Sequence, residues 1–262
     1  MALDRRKTDI VPAALSQAET LRILEDHNNA AREELASRTD AAPEVLFFLA
    51  SEGSIKARRA IARNTTTPAH ANRLLAEDTD EEVRSELARK IGRLIPDLPE
   101  DASEKMRALT IETLERLAED QLPRVRRILA EEIKALDCVP KRVIDMLARD
   151  VEETVAAPIL EYSPLLSDAD LVDIISSSQA RFTLTAIAAR KPLSANVSDA
   201  IATALDVPAV AALLANSSAQ IREQTLEKII DHGARITEWH LPLVLRNDLS
   251  QRAIRRIAGF VS

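Results

Sequence analysis

The apolar positions along this chain follow a helical rhythm, and the rhythm itself recurs. In EDTDEEVRSELARK, residues 77–90, Val83, Leu87 and Ala88 stand at i, i+4 and i+5, with acidic residues ahead of them and Arg84 directly after the valine. At 100° per residue Val83 and Leu87 share one stripe, and Arg84 and Ala88 lie together on its flank. With Val83 as the anchor, the same pattern stands at Ala31, Ala57, Val125, Val155, Thr183, Ile221 and Ala253. The intervals between these anchors are 26, 26, 42, 30, 28, 38 and 32 residues. Eight residues before each anchor stands a leucine or isoleucine: Ile23, Leu49, Leu75, Leu117, Leu147, Ile175, Leu213 and Leu245. Five before it the residue is acidic or small and polar: Asp26, Glu52, Asp78, Asp120, Asp150, Ser178, Asn216 and Asp248. Four after it the residue is apolar in every copy but one, Thr225, and five after it stands alanine except at Leu160 and Leu226.

Units of this length, each with an apolar stripe too narrow to bury alone, predict stacked helix pairs stabilised by their neighbours. Helix-start signals agree with the spacing. Pro43, Pro68, Pro99, Pro140, Pro208 and Pro242 fall near the expected start of the first helix of a pair, where a missing N–H costs least. Thr67 and Asp206 read as N-caps, and Ser167 with Asp170 as a capping box. Second helices are expected to begin near Asn28, Ser54, Asp80, Ser218 and Ser250. Pro158 falls inside the fifth second helix and predicts a short or kinked one.

Composition narrows the class to all-α. Four glycines and six aromatic residues accompany 46% apolar content, a balance that favours helices over strands. The start, MALDRRKTDI, has positive charge with no apolar segment behind it and does not read as a secretory signal. The longest uncharged stretch, Val207 to Ile221, is too short and too polar to span a bilayer. One cysteine, Cys138, excludes an internal disulfide and fits a reducing, cytoplasmic setting.

The motif D-x4-V-R-x2-L-A, clearest in SIKARRAIARNTTTP and DEEVRSELARK, resembles the second-helix signature of HEAT-like repeats and of the leucine-rich repeat variant. VAAPILEYSPLLSDADL (Val155 to Leu171), followed by AIAARKPLS and VAALLANSSAQI, resembles a bacterial, largely alphaproteobacterial, domain family of unknown function. That resemblance runs from about Leu46 to the end. It implies a right-handed α-solenoid of about eight HEAT-like helix pairs and carries no activity with it.

Two sets of arginines follow from the helical geometry. Arg32, Arg58, Arg84, Arg126 and Arg222 flank the stripe beside the alanine, where an adjacent helix comes close. They are expected to form a ladder with turn carboxylates such as Asp78 and Asp120. Ala156, Leu184 and Ile254 break the ladder in the second half. Two and six residues after the anchor, Arg59, Arg63, Arg89 and Arg127 point to the opposite, solvent-facing side, interrupted by Ser85 and Glu131. These four form a candidate partner-binding stripe for an acidic protein segment, a nucleotide or a nucleic-acid backbone.

Charge and aromatic content weigh against nucleic acid. The chain carries a net charge of −7, acids exceed bases by 31 to 25 over residues 1–153, and only Phe47 and Phe48 offer aromatic rings there. Charge density then falls, from 56 charged side chains over 1–153 to 9 over 154–221. Ala157, Glu161, Thr185 and Ala189 occupy the outward positions of copies five and six, an apolar surface that is covered by a partner or a second protomer, or else curled into an interior. The last helix, LSQRAIRRIAGFVS, ends in Phe260 and Val261 without a polar cap, as a truncated array or a self-association end would.

Chemistry-bearing clusters are scarce. Cys138 reads as a buried or incidental thiol, and His27, His70, His232 and His240 lack metal-ligand spacing. Asp168, Asp170 and Asp173 serve as negative charge at a helix start, and no glycine-rich phosphate loop exists. Asn64-Thr65-Thr66 and Asn216-Ser217-Ser218 match the glycosylation pattern, incidental in a cytoplasmic chain.

The sequence thus predicts a single repeat domain over 1–262, charged over about 19–153 and more apolar over about 154–262. Its expected role is a non-enzymatic protein-interaction scaffold without cofactor or metal. Its expected partner is an unidentified protein, with self-association through the apolar C-terminal half. The alternative is a nucleotide- or nucleic-acid-binding regulator using the basic stripe.

Overall fold

The computed structural model describes residues 17–25, 28–98 and 103–261. Asp26, His27, Pro99 and the first ten residues, which figure in the sequence reading, lie outside that set. The described residues form seventeen α-helices, and the chain divides into two compact units on either side of residue 132. That division precedes the change in charge density at 153/154.

In the first unit the helices are α1 (Gln17–Glu25), α2 (Asn29–Ser37), α3 (Pro43–Glu52), α4 (Ile55–Arg63), α5 (Ala69–Leu75), α6 (Glu81–Leu94) and α7 (Glu104–Ala118). Helix α8 (Pro123–Ile133) ends at the boundary. They alternate between two rows: α2, α4 and α6 pack side by side, and so do α3, α5 and α7. The alanines five after the anchor explain the close packing of the first row. Ala36, Ala62, Ala88 and Ala130 are fully buried, so only a methyl separates neighbouring backbones. The stripe residues Leu35, Ile61, Leu87 and Leu129 are buried beside them. A larger side chain at Ala62 would overpack this seam at a cost of about 1–3 kcal/mol.

The second unit holds α9 (Lys141–Ala148), α10 (Glu153–Tyr162), α11 (Asp168–Ser177), α12 (Arg181–Ala188), α13 (Ala195–Ala204), α14 (Val207–Ala215), α15 (Glu223–Gly233), α16 (His240–Val244) and α17 (Gln251–Ala258). Here α10, α12, α14 and α16 form one row and α11, α13, α15 and α17 the other.

Helix α13 corrects the register read from the sequence. Ile221 lies ahead of α15 and outside any helix, and Ser218 caps nothing. The helix that follows α12 in its row is α14, whose equivalent anchor is the buried Ala209. Asp206 caps α14 three residues earlier, as Ser54 caps α4 and Asp80 caps α6. The interval from Thr183 is then 26 residues, matching the first two. In the same register Trp239, fully buried with its indole N–H on the Val207 carbonyl at 2.9 Å, stands at the anchor of α16. Ala253 lies on α17, in the other row, and Leu245, expected in the core, is exposed. The strong apolar content of 207–215 hid the shift, because Leu213 fits equally as a residue eight before Ile221 or four after Ala209.

Local expectations fare better. Asn28 and Ser250 cap α2 and α17, and Ser167 with Asp170 makes both halves of a capping box at α11. Pro158 does not end α10, which continues to Tyr162. Thr67 does not cap α5; its hydroxyl donates to the carbonyls of Ile61 and Asn64, both at 2.8 Å.

Candidate interaction surfaces

The flank arginines of the first unit tie consecutive repeats together. Arg58 grips the Asp78 carboxylate with two nitrogens, at 2.6 and 3.1 Å, while a third donates to the Gly53 carbonyl at 2.8 Å. Arg84 does the same one repeat later, with Asp120 at 2.6 and 3.3 Å and the Asp78 carbonyl at 2.6 Å. Each aspartate also folds its own turn, Asp78 accepting from the Asp80 N–H and Asp120 from the Leu122 N–H. The paired carboxylate raises the Arg58 pKa further above its usual value. Arg32 donates to the Leu24 carbonyl and Arg126 to the carbonyls of Asp120 and Gln121. Arg222 sits apart, pairing with Asp199 and Asn196 of α13, because its register belongs to the other row.

The four-arginine stripe is mostly neutralised. Arg59 meets Asp80 at 3.2 Å, and Arg63 and Arg89 both meet Glu86 at 2.8 Å. The Glu86 carboxyl is held below its usual range, chiefly by the hydrogen bond from Arg63. Arg127 is exposed and carries no ion pair among the described residues. Ser85, expected on the solvent side, is buried, since α6 is covered on that flank too. Arg93 with Glu132, and Arg124 with Glu81 and Glu82, continue the same pattern of opposite charges reaching across repeats. Ala157, Glu161, Thr185 and Ala189 of the second unit are half-buried.

A second ladder escaped the sequence reading. Seven residues after the anchor, a side chain donates to the last carbonyls of the preceding helix in the row. Asn64 donates to Ala36 and Arg38 at 2.9 and 2.7 Å; Asn216 donates to Ala188 and Arg190 at 2.8 and 2.7 Å. In both, the side-chain oxygen accepts the N–H two residues on. The two glycosylation-like triplets are therefore one structural device used twice. Lys90 takes the same place with its ammonium on the carbonyls of Ile61 and Asn64 and on the Asn72 side chain, at 3.0, 3.1 and 2.7 Å. Burial pushes its pKa down to about 7. Arg190 reaches Leu160 and Ser163, and Arg246 reaches Leu214, Asn216 and Ala219. These groups satisfy carbonyls that a helix leaves without an internal partner.

Exposed apolar side chains are scattered along the chain, among them Leu21, Ile55 and Val151, and a cluster of them lies at the end of the second unit. Leu241, Val244, Leu245 and Ile254 are each at least half exposed. Between α16 and α17 runs a hollow of about 410 Å³ lined by Val244, Leu249, Ile254, Ile257, Ala258 and Val261, with Arg246 at its edge. Phe260 turns inward instead, half-buried against His240 with ring centroids 5.0 Å apart. Gly233 lies beside this contact, and a Cβ there would meet Leu243 at 3.4 Å and Phe260 at 3.7 Å, ordinary van der Waals distances. In the first unit, a hollow of about 730 Å³ is lined by Leu21, Leu24, Leu35, Val45 and Phe48 among others.

Cys138 is exposed, and His232 and His240 bond to the carbonyls of Lys228 and Gly233. Among the described residues no group of three His, Cys, Asp or Glu is placed to hold a metal ion. No described helix is long and apolar enough to cross a membrane.

Residues 155–262 match a family described as "Uncharacterised protein conserved in bacteria (DUF2336)". The match starts inside α10 and is narrower than the resemblance read from Leu46 onward. No curated protein and no solved structure matches the chain.

Proposed function

We propose that this chain is a non-enzymatic protein-interaction scaffold, each unit built of HEAT-like helix pairs stacked as in an α-solenoid. The observation that carries this reading is the contrast between the bonded contacts from helix to helix within the rows and the apolar surface at the end of the second unit. Between repeats, carboxylates meet arginines and helix-end carbonyls meet Asn, Lys or Arg. At α16 and α17 four large apolar side chains are left to solvent. Exposed apolar clusters of this kind mark surfaces that another molecule covers.

The nucleotide- or nucleic-acid-binding alternative loses support from the ion pairs of Arg59, Arg63 and Arg89. A polyanion would have to displace Asp80 and Glu86 from them, leaving Arg127 as the free cation of the four.

Affinity capture from the native host tests the scaffold reading, with Leu245→Asp/Ile254→Asp as the control bait. Specific proteins retained by the wild type and lost from the control support it. Retention of the same set by both baits removes the end surface from the proposal.

A further inference from the structure

We infer that the groove between α16 and α17 seats an amphipathic α-helix of a protein partner, one with an apolar stripe flanked by acidic residues. This rests on the interaction reading above and names the chemistry of the partner.

The shape of the seat comes from the rows. Five times among the described residues, a helix receives from the next helix of its row an Asn, Lys or Arg that bonds to its final carbonyls. Five and seven residues after its anchor, α16 presents the carbonyls of Val244 and Arg246, which accept no hydrogen bond among the described residues. Beside them lies the 410 Å³ apolar hollow. The groove beside α17 therefore pairs an apolar trough with carbonyls of the kind that side chains claim elsewhere in the rows.

The charge of the occupant comes from α17. Its sequence, QRAIRRIA, holds Arg252, Arg255 and Arg256 and no acid. Arg252 is tied to Glu227 and Arg256 to Asp231. Arg255 is exposed, adjacent to the half-exposed Ile254, and carries no ion pair among the described residues. A helix lying in the groove with a glutamate toward Arg255 gains a charge-assisted contact, whereas a lysine there is repelled. Two copies of this chain meeting through the same face would oppose α17 to α17, arginine against arginine, so a second copy is the poorer occupant.

The test uses the full chain and two synthetic helical peptides of about four turns. Both have leucines at i, i+3, i+4 and i+7 and an asparagine in the last turn; one is flanked by glutamates and the other by lysines. Fluorescence anisotropy should show saturable binding of the glutamate peptide and at least about tenfold weaker binding of the lysine peptide. Arg255→Glu should reverse that preference, and Ile254→Asp should abolish binding of both. Ile254 and Arg255 are exposed, so both variants should keep the wild-type melting temperature, which is measured alongside. Equal affinity for the two peptides, or no binding of either, overturns the inference. So does a concentration-dependent mass in sedimentation that Ile254→Asp abolishes, which would assign the groove to a second copy. If the peptides fail while the host capture still loses proteins with Leu245→Asp/Ile254→Asp, the scaffold reading stands and only the occupant is wrong.

Discussion

Arg84 and Arg89 leave the same helix on different sides, and both end on carboxylates, yet their energetic weight differs. The Asp120 side chain that Arg84 holds is 5% exposed, whereas the Arg89 side chain is 36% exposed and shares Glu86 with Arg63. Arg84→Ala strands a nearly buried carboxylate and frees a turn carbonyl, so it should lower unfolding stability by about 2–3 kcal/mol. Arg127→Ala, at an exposed arginine with no ion pair, should stay within about 0.5 kcal/mol of wild type. Urea titrations of both variants check the contrast, and equal losses would remove the ladder's structural role. Lys90 allows a pH prediction. Its folded pKa of about 7 lies below the usual 10.5, so between those values the unfolded chain keeps a proton that the folded chain has released. Stability therefore rises with pH through that window. The cost of burying the charge is complete below about 7 and gone above 10.5. Relative to Lys90→Met, which does not titrate, the wild type should gain about 1 kcal/mol per pH unit between about pH 7.5 and 9.5. A flat difference across that range would show that the ammonium stays charged in the folded chain.

Among the elements, the helix-end clamp deserves its own measurement, because it is the same contact made by different side chains. Asn216→Ala removes two hydrogen bonds to α12's last carbonyls and one that folds the following turn. The loss should be about 2–3 kcal/mol, read from the denaturation midpoint, whereas alanine at the exposed Ser217 should change little. This clamp also shows what the sequence could and could not convey. The stripe and the close-packed alanine were legible because packing demands one kind of residue at each: apolar on the stripe, small at the seam. Caps were legible because few side chains reach a helix's first N–H groups. The clamp demands only a donor of sufficient reach, which Asn, Lys and Arg all supply, so no letter recurs. Its one visible trace was the recurrence of Asn followed by two hydroxyl residues at 64 and 216, which a glycosylation pattern also matches. The ion pairs of the solvent-facing stripe were illegible for a related reason. Helical angles place Arg59, Arg63 and Arg89 on the outer side, but Arg59 and Arg63 lean across the seam to Asp80 and Glu86 of the next repeat, which a single-helix projection does not contain, and Arg89 turns back to Glu86 of its own helix. The register of α14 was hidden because Ile221, followed by Arg222, matches the arginine-bearing motif more closely than Ala209, followed by Val210, while Leu213 fits both.

On the scale of the whole chain, stability in a row of helices is a sum of local terms. Helices α2 to α6 each touch the helices beside them in their row and in their pair, and the ladder arginines Arg58 and Arg84 reach one repeat onward. A quasi-linear array of this kind transmits damage to neighbours and little further. Arg84→Ala should therefore open the first unit locally. Amides of α5, α6 and α7 should exchange with deuterium faster by about 10-fold or more, in line with a loss of about 2 kcal/mol in opening free energy. Amides of α12 to α15, clamped by Arg190, Asn216 and Arg246, should keep their wild-type protection. The converse variant, Asn216→Ala, should loosen α12 and α14 and spare α4 and α6. Hydrogen exchange followed by mass spectrometry on the intact chain resolves both sets of helices in one experiment. If either variant accelerates exchange equally in both units, the two fold as a single cooperative body, and the repeat-by-repeat account of stability fails.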